Sequence, residues 1–190
     1  PILLISGMSP FCQTFLDDVR VPQENLVLGR GEGWTVAKRL LQYERSSQGG
    51  VGRAQNVRPL EEYAIEYLGR EDDGRVADSQ IRSAVLTHRM NDQAFFLTRR
   101  RSQEESSAAA APGAMSSVLK YYGTEQNKGR YELLLQIMGT HCLGWGDEAP
   151  EDEGVTVAPS WLRSKANSIE GGTSEIQLNV IAKRILGLPD

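Results

Sequence analysis

The spacing of apolar residues along the chain changes once, near residue 30. Before that point Ile2, Leu3, Leu4 and Ile5 run into Gly7 and Pro10, and Phe15, Val19 and Val21 precede Pro22, with turn residues between them. This texture reads as the end of a β structure. A few strands cannot make a stable sheet alone. They either pack on the rest of the chain or belong to a β domain whose earlier part is not in this sequence, and the second arrangement is the expectation for residues 1–30.

From Gly33 the period becomes helical. Trp34, Val36, Ala37, Leu40 and Leu41, then Val51, Ala54, Val57, Leu60, Ala64 and Leu68, recur at three- and four-residue steps. They predict one long helix with a buried stripe, weakened at Gly49-Gly50 and kinked at Pro59. Gly69 to Gly74 reads as a connecting turn, after which Asp78 or Ser79 caps a second helix carrying Ile81, Val85, Leu86, Met90, Ala94, Phe95 and Leu97. Ser102 to Gly113 is expected to be a loop. A third helix runs from about Ala114 to Met138 and is ended by Gly139. The acidic stretch Gly144 to Pro159 reads as an exposed loop, Trp161 to Ile169 as a short helix, and Thr173 to Leu186 as a final amphipathic helix closed by Gly187 and Pro189. The pattern therefore predicts a mainly α protein: an up-and-down antiparallel bundle of four to five helices over residues 31–190, preceded by a short β remnant.

Composition narrows the classes. The 190 residues hold 21 Lys+Arg against 25 Asp+Glu, a net charge of −4, so no basic face is available for nucleic acid or an anionic membrane. No stretch reaches the roughly 18–20 uninterrupted apolar residues of a membrane helix, and the first residues show neither the basic region nor the cleavage site of a signal peptide. Cys12 and Cys142 are the two cysteines of the chain, and a chain of this size has no need of disulfide staples. The expectation is a reduced, cytoplasmic protein. Neither cysteine stands at metal-ligand spacing from His88 or His141, so no metal site is expected.

Three features carry candidate chemistry. In Ser168-Ile169-Glu170-Gly171-Gly172-Thr173-Ser174-Glu175-Ile176-Gln177 the paired glycines let the backbone approach a ligand, and Thr173 or Ser174 opens a helix whose free N–H groups favour an anion; the ordinary alternative is a good N-cap and nothing more. Glu44-Arg45 is ordinarily solvated helix surface. Yet Glu44 follows Leu41 by one turn, near the apolar stripe, where a desolvated carboxylate can act as a base. Gln136-Ile137-Met138-Gly139, followed by Thr140-His141, is an ordinary C-cap unless a planar ligand sits on it.

Together these segments resemble the acyl-CoA dehydrogenase family. The resemblance rests on Phe15-Leu16-Asp17-Asp18-Val19-Arg20-Val21-Pro22, Gly31-Glu32-Gly33-Trp34, Glu44-Arg45, Ile169 to Gln177, and Ala182-Lys183-Arg184-Ile185-Leu186-Gly187-Leu188-Pro189, in matching order. It implies a C-terminal helical bundle around FAD, with the last strands of a middle β domain ahead of it. It also implies a homodimer or tetramer, an acyl-CoA substrate and electron-transfer flavoprotein as electron acceptor.

Carried over residue by residue, the resemblance gives Thr173 and Glu175 contacts to FAD. Arg70 would reach the pyrophosphate of a partner subunit's FAD, and Gln136 with Gly139 would touch its adenosine end. Two positions depart from the family: Glu71-Asp72-Asp73-Gly74 replaces an aromatic residue and glycine after Arg70, and Thr140 replaces a second glycine after Gln136. Many members put the catalytic Glu directly before Gly-Thr-Ser, where this chain has Gly171, with Glu170 one residue early. Others place it on the first long helix of the bundle, which Glu44 matches. The resemblance thus implies Glu44 as the base, with Glu170 as the other candidate, and Arg45 as an orienting or CoA-binding residue. A second reading is a non-catalytic partner subunit that supplies the bundle and an interface.

Overall fold

The computed structural model describes residues 1–48, 57–108, 115–144 and 157–189. Six α-helices lie among them: α1 (Gly33–Gln48), α2 (Leu60–Leu68), α3 (Ser79–Ala108), α4 (Met115–Met138), α5 (Val157–Lys165) and α6 (Ser174–Val180), the last continued by a π-helical turn, Ile181–Ile185. Helix α4 is the axis, since α1, α2, α3, α5 and α6 all pack on it.

Side-chain pairs fix the directions. His88 donates to the Gln126 carbonyl at 3.1 Å and Phe95 meets Tyr122, so α3 runs antiparallel to α4. Arg130 reaches the Arg58 carbonyl at 2.7 Å while the Tyr67 ring packs, tilted, on His141, so α2 runs parallel to α4. Lys165 pairs with Glu132 and Asn167 lies beside Lys120 and Thr124, which turns α5 antiparallel again. This is the up-and-down bundle that the apolar period predicts. Its core joins Leu60, Tyr63 and Ala64 of α2, Val85 of α3, and Leu133, Leu134, Ile137 and Met138 of α4, closed by Cys142 and Val157. Gly123 lets α3 come close: a Cβ there would lie 2.8 Å from Phe95 Cζ.

Several boundaries differ from the expectation. Residues 1–30 form no strand among the described residues; an isolated antiparallel bridge, Ile2 to Phe11, and a short 3₁₀ turn at Gln23–Asn25 are what regular structure they hold. A strand needs a hydrogen-bonding neighbour, and Leu3, Ile5, Phe15, Leu16 and Val21 all remain exposed. The long helix from Gly33 to Leu68 is two. Pro59 opens α2 as its N-cap, with φ −60° and ψ 145°, a conformation that starts a helix and cannot continue one; residues 49–56, with the Gly49-Gly50 weak point, lie outside the described residues. The buried stripe of α1 is shallow. Val36 and Ala37 are half-buried, but Trp34 and Leu40 are 70% and 66% exposed.

Helix α3 continues through Ser102 to Ala108, where a loop was expected. Arg100–Glu104 and Arg101–Glu105 ion pairs at four-residue spacing support that extension. Residues 109–114 and most of the acidic segment, 145–156, lie outside the described residues. Helix α5 starts at Val157, ahead of Trp161, because Pro159 sits in its first turn, where a missing N–H costs nothing. It then tightens into a 3₁₀ turn at Ala166–Ser168.

Candidate functional site

The connection from α5 to α6 is held by a polar face of α4. Ser117, Lys120, Thr124 and Asn127 recur at helical spacing, and the first three are buried. Lys120 Nζ donates to the Asn167 carbonyl at 2.8 Å and Thr124 Oγ1 donates to the same oxygen at 3.3 Å. The Asn167 side chain accepts from Asn127 Nδ2 at 2.9 Å and donates to Glu170 Oε1. Lys128 reaches Ser168 Oγ at 2.7 Å and Glu125. Burial pulls the Lys120 ammonium below its ordinary pKa, and the charges of Glu170 and Glu125 offset part of that.

Glu170 closes this network. Arg163 Nη2 donates to its second oxygen at 2.7 Å, so both carboxylate oxygens are engaged. Burial raises the Glu170 carboxyl, but the bonds from Arg163 and Asn167, with the charges of Arg163 and Lys120, outweigh it and hold the group below the ordinary carboxylate range. The Arg163 guanidinium also lies 5.9 Å from the Phe11 ring, which brings the opening segment alongside this turn.

Gly171 and Gly172 follow with φ of 64° and 93°, left-handed conformations suited to glycine. Thr173 caps α6, its hydroxyl accepting from the Ile176 N–H at 3.3 Å. Glu175 is exposed in the first turn, and a bond from its own backbone N–H, then one from Thr173, hold its carboxyl below the ordinary range. The N-cap expected from the sequence is therefore present, with Thr173 in that role.

Arg70 and the Gln136–Gly139 pair lie at the other end of the bundle. Arg70 is exposed in a tight hairpin, bridged to Val76 and flanked by Gly69 and Gly74, both at φ 87°, and no ion pair holds it among the described residues. Of the acids after it, Glu71 pairs with Arg75 and Arg82, and Asp73 with Arg75. Gln136 is exposed, and Gly139, at φ 56°, ends α4 in a 3₁₀ turn to Cys142. The tilted Tyr67–His141 ring contact sets this end beside the Arg70 hairpin. Measured along α4, Lys120 and Gln136 are separated by about 24 Å, at 1.5 Å per residue. The structure thus brings Glu170, Thr173 and Glu175 together, and separately Arg70, Gln136 and Gly139.

Glu44 and Arg45 fall in the last turns of α1; their side chains lie outside the described residues. Lys120, Asn167, Arg163 and Gln177 were not singled out as site residues by sequence reasoning. The signal for the first was available: polar residues at positions 117, 120, 124 and 127 form a stripe at helical spacing that interrupts the apolar one. Among the described residues no helix is long and apolar enough to cross a membrane. Cys12 is exposed and Cys142 buried, both as free thiols.

The fold is a helical bundle whose last helix opens on a Gly-Gly-Thr-Ser-Glu turn. Residues 31–186 match the family model described as acyl-CoA dehydrogenase, C-terminal domain, and the chain belongs to that family. Among curated proteins it is 32% identical over 189 residues to acyl-CoA dehydrogenase FadE34 of Mycobacterium tuberculosis, covering all of this chain and 24% of that protein. It is 30% identical over 192 residues to acyl-CoA dehydrogenase IpdE1 of the same organism, covering 47% of it. The chain thus spans from a quarter to about half the length of these relatives. Among solved structures, the Tcur3481-Tcur3483 steroid acyl-CoA dehydrogenase matches with a TM-score of 0.76 at 23% identity, over 100% of this chain and 48% of that one. A glutaryl-coenzyme A dehydrogenase in complex with glutaryl-CoA matches with a TM-score of 0.67 at 22% identity, over 92% and 43%.

Proposed function

We propose that this chain is the flavin-facing helical part of an FAD-dependent acyl-CoA dehydrogenase, with residues 1–30 as the end of its β domain. The observation that carries the reading is the turn at Glu170–Glu175, formed and braced by α4 inside a bundle of this family. The residues fit FAD. The glycine pair exposes backbone, Thr173 and Glu175 present a hydroxyl and a carboxylate suited to ligand hydroxyl groups, and Arg70 offers a guanidinium without an ion-pair partner among the described residues to a phosphate. Two contact sets at opposite ends of one bundle serve one flavin when the second set comes from another copy, which supports a dimer with shared cofactor sites.

Bound FAD supplies the hydride acceptor. Glu44 takes the α-proton of the acyl-CoA thioester as the β-hydride leaves, and Arg45 orients that carboxylate or holds CoA. The state of Glu170 supports this assignment: with both oxygens engaged and its pKa lowered, it is a weak base. Electron-transfer flavoprotein is the acceptor that regenerates the oxidised enzyme. A second reading, a partner subunit without its own chemistry, is favoured by Gly171 at the position where many members carry the catalytic Glu.

The test uses the complete polypeptide containing this chain. A yellow protein whose flavin absorbance bleaches anaerobically with a CoA thioester, assayed across a panel of linear, branched and cyclic acyl groups, supports the first reading. A colourless protein that gains flavin only with a second component supports the other.

A further inference from the structure

The Gly171–Gly172 turn needs a clamp, because two successive residues at positive φ cost conformational entropy and leave two carbonyls pointing inward. Gln177 is fully buried, 0% exposed, and its Nε2 donates to the Gly171 carbonyl at 3.1 Å and the Gly172 carbonyl at 3.4 Å. Its backbone N–H bonds Thr173 O at 2.9 Å, so the residue ties both sides of the cap. Relative to Thr173 as N-cap, Gly172 and Gln177 occupy the N′ and N4 positions. In many helices that pair forms an apolar staple fixing the angle at which the chain enters. Here it is a carbonyl and a carboxamide. The fit is tight, since a Cβ on Gly172 would lie 2.5 Å from Gln177 Nε2.

We infer that Gln177 is a positioning residue that clamps the Gly171–Gly172 turn from behind and so sets where Thr173 and Glu175 stand toward the ligand. The inference rests on the FAD reading for its ligand and on geometry alone for the clamp. Gln177→Ala leaves both glycine carbonyls without the donor. Gln177→Glu is nearly isosteric and makes the clamp titratable: the protonated acid donates to Gly171 O, whereas the ionised form faces two carbonyl oxygens in a dry site.

The test is FAD titration of the complete wild-type protein and both variants at pH 5.5 and pH 8.5. For Gln177→Ala the expected result is FAD affinity weakened about tenfold at both values. For Gln177→Glu it is affinity near wild type at the lower pH and a loss of at least about tenfold at the higher. A general packing defect would lower affinity without that pH-dependent recovery, and this, or wild-type affinity in both variants at both pH values, overturns the inference. Amide exchange over residues 170–174 decides the clamp separately, without flavin. Faster exchange there in Gln177→Ala supports the clamp, and exchange equal to wild type overturns it. Wild-type protein that takes up no FAD refutes the FAD reading while leaving the exchange result to stand.

Discussion

Replacing Glu170 by Gln removes one charge from the turn and leaves its shape. The carbonyl of the new amide still accepts from Asn167, but the oxygen that faced Arg163 Nη2 at 2.7 Å becomes an NH₂ group opposed to a guanidinium. The two side chains are 30% and 34% exposed. The pair therefore lies between a solvated surface ion pair, worth about 0–1 kcal/mol, and a well-shielded charged hydrogen bond, worth about 1.5–3 kcal/mol. A loss of about 1–2 kcal/mol is expected, which for a domain of this size lowers Tm by about 2–8 °C. The sign of the pH dependence follows from the direction of the shift. The folded carboxyl titrates below its ordinary 4.5, so its contribution is fully present above that value and lost as pH falls through the folded pKa. Thermal melts of wild type and Glu170→Gln by circular dichroism should differ at pH 7 and converge as pH is taken below about 4.5. Equal Tm at pH 7, or a difference that persists unchanged in acid, would refute the assignment of Glu170 as an ionised brace.

Other outcomes follow from the same geometry. Ile137, 2% exposed at the α2–α4 contact, leaves a cavity when cut to Ala, and urea unfolding should show a loss of about 2–5 kcal/mol. Arg70→Glu should weaken FAD binding about tenfold or more by putting an acid opposite a phosphate. The melting temperature of the flavin-free protein should stay unchanged, because Arg70 is exposed and unpaired among the described residues. A drop in that temperature would show a structural role instead.

The existence of the helices was legible from the apolar period, and Leu60, Ala64, Val85 and Phe95 are buried as it predicts, whereas Leu86, Met90, Ala94 and Leu97, read on the same α3 stripe, are exposed. Asp78 was legible as a cap, and its carboxylate does accept from Gln80 and Ile81 N–H, each at 2.9 Å. Where the reading failed, the cause was context. Residues 1–30 were read as strand ends and the apolar residues of α1 as a buried stripe, but strand pairing and burial both need a partner surface, and within this chain Phe15, Trp34 and Leu40 have little. The end of α3 was misjudged because serines suggested a loop while ion pairs at four-residue spacing sustained the helix. The motif around Gly171 was legible as a site, but its support was not. Asn167 and Lys120 are 47 residues apart, and only the antiparallel return of α5 along α4 brings them together.

The central proposal is that acyl-CoA oxidation at this bundle uses Glu44 as the base, and the reductive half-reaction tests it most directly. Rapid mixing of the complete FAD-loaded protein with a reactive CoA thioester, without oxygen, should bleach the flavin. Glu44→Gln should keep its FAD and bind the thioester while bleaching about 10² to 10⁴ times more slowly, with Glu170→Gln close to the wild-type rate. Bleaching at the wild-type rate in Glu44→Gln, or the reverse ranking of the two variants, would contradict the proposal.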